Sequence, residues 1–158
     1  MRHIRKPKGN DSACVGLAFA MAAGLTWEEM VELVGHDGTK MFNGYPRGFH
    51  PQEIMFKLRT QLSRPVKFCE YHLVPMSNVK GEVYALTDDT DTASRLEQFK
   101  RWINETRGVV RVLVPGKFFV HAVAYDKGII YDSSLETLCR YDAHPLIDSP
   151  TEIYIMES

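Results

Sequence analysis

Asn10-Asp11-Ser12-Ala13-Cys14-Val15-Gly16-Leu17-Ala18-Phe19-Ala20-Met21-Ala22-Ala23-Gly24 carries a polar turn straight into an alanine-rich apolar run that closes on a glycine. At helical spacing, Cys14, Leu17, Ala18 and Met21 share one face, and Val15, Phe19 and Ala22 share another. A helix apolar nearly all round is a buried helix, so this one is expected at the centre of the fold. Asp11 or Ser12 is the expected N-cap. A cysteine in the first turn feels the positive end of the helix dipole, which favours thiolate over thiol.

Outward from this helix the pattern stays readable. Thr26 with Glu29 three residues on is a capping box, and it opens a second helix over Trp27 to Val34, stopped at Gly35. From His36 to His50 the periodicity gives way to a loop punctuated by glycine and proline, with Met41, Phe42, Tyr45 and Phe49 in it; loops of that length in compact domains tend to be functional. Pro51 at a first helical turn starts a helix running to about Leu62. Residues 65–71 alternate like a strand, 74–81 read as loop, and Glu82 to Thr87 as a short strand. Asp88 to Thr92 is an acidic cap region for a helix with Leu96, Phe99, Trp102 and Ile103 inward, and Gly108 is its expected terminal glycine. Strands follow at 109–114, 118–125, 128–132 and 152–156. The order, helices first and then antiparallel strands with one helix among them, defines α+β.

Bulk properties narrow the function classes. The chain has 158 residues, 44% hydrophobic and 25% charged, which fits a single globular domain over 1–158, with residues 1–9 an extended or mobile arm. With 19 basic and 20 acidic residues the formal charge is -1, so no nucleic-acid footprint is expected. The apolar run after Cys14 is too short to cross a bilayer, and no membrane partner is expected. Three cysteines, Cys14, Cys69 and Cys139, with no CxxC, argue for a reducing, cytoplasmic setting, without disulfides or a zinc cluster. His36, Asp37, His50 and His72 match no recognised metal-ligand spacing; neither metal nor cofactor is expected.

A cysteine nucleophile needs a lowered pKa, a base beside it, and donors aimed at the developing oxyanion. His121 lies in an otherwise apolar strand, where burial depresses a lone imidazole unless an anion compensates. Asp132, on the next strand, can be that anion. With Asp126-Lys127 as a two-residue loop, Asp132 falls opposite His121; with a three-residue loop ending at Gly128, Ser133 takes that place and Asp132 turns away. For the oxyanion, the Cys14 backbone N–H and the Asn10 side-chain amide are the candidate donors. The plainer alternatives are a buried inert cysteine, a satisfied core histidine and an aspartate capping a hairpin; Cys69 and Cys139 read as structural.

The order Asn10-Asp11…Cys14, Thr26-Trp27-Glu28-Glu29 and His121-Ala122-Val123…Tyr131-Asp132 resembles the papain-like cysteine peptidase fold. The similarity is to its small bacterial and phage members, related to the bacteriocin-processing peptidases. That resemblance implies N-terminal helices with a central buried helix packed on an antiparallel sheet. It implies a Cys14–His121–Asp132 triad working through an acyl-enzyme on a peptide or protein substrate, in the cytoplasm of a bacterium or a phage-infected host cell. The position six residues before Cys14, where papain-like enzymes carry an oxyanion glutamine, holds Lys8. Two function classes therefore stand: a cysteine hydrolase of peptidase, amidase or isopeptidase type, with an acyltransferase using the same triad as its sub-alternative; and a catalytically silent module of the same fold that binds or inhibits a protein, such as a phage protein engaging a host protein.

Overall fold

A computed structural model gives the fold, describing residues 1–73, 76–77, 83–84, 92–114, 120–145 and 150–157. Helix α1 (Cys14–Ala23) is followed by α2 (Trp27–Val34), a small hairpin of β1 (Met41–Phe42) and β2 (Tyr45–Pro46), and α3 (Pro51–Gln61). Then come β3 (Lys67–His72), the two-residue pair β4 (Met76–Ser77) and β5 (Val83–Tyr84), and α4 (Thr92–Glu105). Strands β6 (Arg107–Leu113), β7 (Val120–Asp126), β8 (Ile129–Tyr131), β9 (Cys139–Arg140) and β10 (Pro150–Glu157) complete the chain, with a 3₁₀ turn at Tyr141–Ala143. The rest of the expected 74–81 loop and 82–87 strand, the acidic cap Asp88 to Asp91, and Phe118 and Phe119 lie outside the described residues. The protein is α+β.

Six strands form one antiparallel sheet in the order β3-β10-β6-β7-β8-β9. The period-two alternation of its strands divides the core in two. One face presents Phe68, Val109, Ala122, Ala124 and Tyr154 to α1, α2 and α3. The other presents Val110, Val112, Val123, Tyr125, Ile130 and Ile153 to Phe99 and Ile103 of α4. Helix α1 lies across β7 and β6, and every residue from Val15 to Ala22 is buried, as an all-apolar helix requires. The alanines let it sit close to Ala122 and Ala124, while Phe19 fills the gap beyond, edge-on to Phe68 at 4.9 Å and Tyr154 at 5.3 Å between ring centroids.

Several expectations are corrected. The N-cap of α1 is Ala13, with no side-chain cap bond; Asp11 is instead exposed and paired with Lys6 at 2.5 Å. Gly108 does not terminate α4, which ends at Glu105; it lies inside β6, where a Cβ would stand 1.9 Å from the Tyr154 carbonyl oxygen. Its lack of a side chain lets β6 and β10 meet. The 36–50 segment is not all loop: Asn43 and Gly44, at φ 49° and 84°, make the two-residue turn of the β1–β2 hairpin.

Neither expected register of the β7–β8 hairpin is adopted. The turn is Lys127-Gly128, at φ 46° and 87°, which pairs Asp126 with Ile129 and Ala124 with Tyr131. The end of α4 holds the turn there, because Lys127 N donates to Thr106 O at 2.9 Å and Gly128 N to Ile103 O at 2.7 Å. Residues 1–7 have no regular structure but are docked: Ile4 N donates to Met21 Sδ at 3.2 Å and Lys6 N to Ser133 O at 2.9 Å. Lys8-Gly9 is a turn closed by Asn10 N donating to Pro7 O at 3.1 Å.

Candidate active site

Cys14 is the first residue of α1. No acidic residue occupies the helix's first turn, so the orphan N–H groups of that turn face the sulfur's surroundings without a competing carboxylate. His121 meets Cys14 from β7, and its imidazole, with the backbone amides of Ala122 and Val15, favours the thiolate. Burial alone would push the thiol up; His121 and the two amides outweigh it, and the Cys14 pKa is lowered. Cys69 and Cys139 shift the other way. A hydrogen bond to the Glu157 carboxylate raises Cys69, and burial together with the charge of Asp132 raises Cys139. Cys14 is the one of the three that is drawn toward thiolate.

His121 Nε2 lies 2.8 Å from Asp132 Oδ1. A carboxylate only accepts hydrogen bonds, so Nε2 carries the proton of that bond and Nδ1 is the nitrogen left to face Cys14. Burial would depress the imidazole, but the bonds to Asp132 and Cys14 reverse the sign and push its pKa up to about 9. A lowered thiol and a raised imidazole both move in the direction of a thiolate–imidazolium pair.

Asp132 is reached in a way that the strand pattern did not anticipate. Continued in register, the β7–β8 ladder would set it beside Val123, and the strand stops at Tyr131. Asp132 leaves the ladder on the same pleat face as His121 and folds back toward it. Ser134 N donates to Oδ1 at 2.9 Å, His144 Nε2 to Oδ2 at 2.9 Å, and His3 Nε2 lies 2.8 Å from the Asp132 carbonyl oxygen. Burial would raise this carboxyl; the two imidazoles and the Ser134 amide hold it well below the usual carboxylate range. Ser133, set opposite His121 in the longer-loop alternative, is buried, and its carbonyl accepts from Lys6 N.

Asn10 is buried, and both ends of its carboxamide are engaged. Nδ2 donates to Asp37 O at 2.8 Å, and Oδ1 accepts from Ser12 N at 3.2 Å. Its bonds tie the approach to Cys14 onto the 36–50 segment and leave one N–H of the amide outside them. Lys8 is exposed. The backbone N–H of Cys14 stands at the head of α1 as expected.

His144 and His3 were missed. His144 sits in Tyr141-Asp142-Ala143-His144-Pro145, where no periodicity or spacing relates it to Asp132. Among the described residues no group of three or more His, Cys, Asp and Glu side chains is arranged to hold a metal ion. His36 instead pairs with Glu53 at 2.7 Å and stacks on Phe49, and His72 pairs with Glu70 at 3.1 Å. A cavity of about 580 Å³ opens at the far, C-terminal end of α1 among Ala22, Leu25, Leu62 and Met156. No single helix among the described residues is long and apolar enough to cross a membrane.

No protein-family model, no curated protein and no solved structure matches the chain.

Proposed function

We propose that this chain is a papain-like cysteine hydrolase of peptidase, amidase or isopeptidase type, with Cys14 as nucleophile, His121 as general base and acid, and Asp132 as the group orienting His121. The observation that carries the reading is the His121 Nε2–Asp132 Oδ1 contact at 2.8 Å, with His121 also drawing the Cys14 thiol down. It joins the head of α1 to the β7–β8 hairpin, distant in sequence, which gives it more weight than any of the residues alone.

In this reading the Cys14 thiolate attacks the substrate carbonyl carbon, and the negative charge moves to the carbonyl oxygen, toward the N–H groups at the head of α1. The C–N bond breaks as His121 passes its Nδ1 proton to the leaving amine, and a thioester remains on Cys14. Water then gives a proton to His121 and attacks the thioester, releasing the acid and restoring the thiolate. Asp132 holds Nε2–H throughout and stabilises the imidazolium without taking its proton. If an amine intercepts the thioester before water, the same residues perform acyl transfer.

The silent-module reading has one observation in its favour, the engagement of the Asn10 amide by Asp37 O where a free oxyanion donor was expected. Alkylation separates the two. Iodoacetamide at neutral pH, with peptide mapping, is expected to modify Cys14 ahead of Cys69 and Cys139, with the preference lost in His121→Ala. A thioester mass trapped from a peptide ester in the parent protein and absent in Cys14→Ser establishes turnover chemistry; selective alkylation with no trapped acyl group on any ester of a broad panel favours the silent module.

A further inference from the structure

The Asp132 carboxylate has two imidazoles, one at each oxygen. His121 and the Ser134 amide both bond Oδ1, which leaves Oδ2 as the second point that sets how the carboxylate is turned about its Cβ–Cγ bond, a broad, roughly two-fold torsion in aspartate. His144 Nε2 holds the other oxygen at 2.9 Å. Its side chain is fully buried, opposite an Asp132 side chain that is 5% exposed. The anchoring of His144 runs back to the hairpin that carries His121. Tyr141 N donates to Gly128 O at 2.9 Å, His144 N to Tyr141 O at 3.2 Å, and β9 pairs with β8 just before. The segment between Asp132 and His144 is thus folded back on β8, and the second imidazole is delivered from the same hairpin that carries the first.

We propose that His144 is a positioning residue, clamping Oδ2 of Asp132 so that Oδ1 stays in line with His121 Nε2. By the donor argument applied to His121, a carboxylate partner puts the proton on Nε2 of His144 as well. The other groups facing this carboxylate among the described residues are the Ser134 amide, Cys139, His3 at the Asp132 carbonyl, and Cys14 beyond His121. None of these bonds Oδ2, so the alignment depends on His144.

This inference rests on the proposed role of His121 but is tested without turnover. In a Cys14→Ala background, where no thiolate contributes, the His121 imidazole is titrated by NMR. His144→Gln places an amide nitrogen where Nε2 was and is expected to leave the His121 titration near the parent. His144→Asn, whose nitrogen reaches only the Nδ1 position, and His144→Phe, which keeps the ring without a donor, are expected to lower the His121 pKa by about one unit. With Cys14 intact, the same two variants are expected to slow Cys14 alkylation at neutral pH about tenfold, the factor carried by one pKa unit, and His144→Gln to restore it. Equal His121 titrations in the Gln and Asn variants overturn the proposal, as does loss of the fold in all three, which makes His144 a folding residue only. If alkylation of Cys14 proves indifferent to His121, the hydrolase reading fails, while the titration still decides the role of His144.

Discussion

His121 Nε2 stands 2.8 Å from Asp132 Oδ1 although the two residues are not ladder partners, because β8 ends one residue before Asp132. The contact is therefore made by the chain bending back beyond the end of β8, and it is sensitive to what fills that bend. Asp132→Ala leaves two buried imidazoles without their acceptor. It is expected to cost about 3–5 kcal/mol of stability, as removal of one partner from a buried ion pair does, read from urea unfolding. Asp132→Asn keeps an acceptor but no charge. On the proposed function, it is expected to lower hydrolysis roughly 10²- to 10⁴-fold and to move Cys14 alkylation toward the ordinary thiol range.

The pH profile follows from opposed shifts. Cys14 sheds its proton below the ordinary thiol value of 9.0, so its alkylation rate is expected to rise well before those of Cys69 and Cys139, both raised. His121 holds its proton up to about 9, and hydrolysis that needs the imidazolium is expected to fall through that pH, with the limb belonging to the coupled pair. For stability the signs differ by group. The raised His121 contributes fully below 6.5 and loses its contribution as pH rises toward about 9. The lowered Cys14 gains over the range up to 9.0. These two contributions oppose each other over that range. Asp132, lowered, contributes above its ordinary 3.8 and loses that as pH falls below it, so acid denaturation monitored by circular dichroism is expected to begin near that value.

Gly108 offers a test of packing. A glycine in a helix C-cap is worth about 1 kcal/mol over alanine. Gly108 lies instead where a Cβ would stand 1.9 Å from a backbone oxygen of β10. Since backbone cannot yield as a flexible side chain can, Gly108→Ala is expected to cost more than about 3 kcal/mol or to prevent folding, measured by the urea midpoint.

That misplaced glycine also shows which information was local. The buried helix, the Thr26–Glu29 capping box and the Pro51 helix start are written in neighbouring residues, and the structure has them. The alternation that put Val123 and Tyr125 on one face and Ala122 and Ala124 on the other is equally local. Asn43-Gly44 carried a hairpin signal that the surrounding glycines and prolines masked. What could not be read depends on contacts distant in sequence. The Lys127-Gly128 turn is held by carbonyls at the end of α4, and Gly108 is required by a strand 46 residues away at Tyr154. His144 reaches Asp132 only because β9 folds back on β8. Likewise Ser12 and Asp11 had suitable side chains to cap α1, but Asn10 takes the Ser12 amide and Lys6 takes Asp11.

Lys127 occupies a left-handed conformation, φ 46°, that costs a residue with a Cβ about 1–2 kcal/mol. Asparagine tolerates it and, before Gly128, completes the preferred Asn-Gly turn. Lys127→Asn is expected to raise stability by about 0.5–1 kcal/mol, seen as a higher urea midpoint with unchanged slope. A loss would mean that the lysine side chain contributes elsewhere.

The β1–β2 hairpin exposes Met41 at 60%, Phe42 at 71% and Tyr45 at 76%, rims a cavity of about 400 Å³ with Lys40 and Arg47, and spends little apolar surface on the core. It is nonetheless joined to the residues leading into Cys14, through Asn10 Nδ2 to Asp37 O and through the tight approach of Gly38 to the Ser12 carbonyl. On the proposed function, rings this exposed, on a segment tied to the residues that lead into Cys14, serve the substrate. Phe42→Ala and Tyr45→Ala are therefore expected to change stability by less than about 0.5 kcal/mol. Each is expected to raise KM about tenfold at nearly constant kcat, since covering an aromatic side chain is worth about 1.5–3 kcal/mol and uniform binding affects KM alone. A fall in kcat with KM unmoved would instead make the hairpin part of how Cys14 is held, acting through Asn10, and Asn10→Ala should then reproduce it.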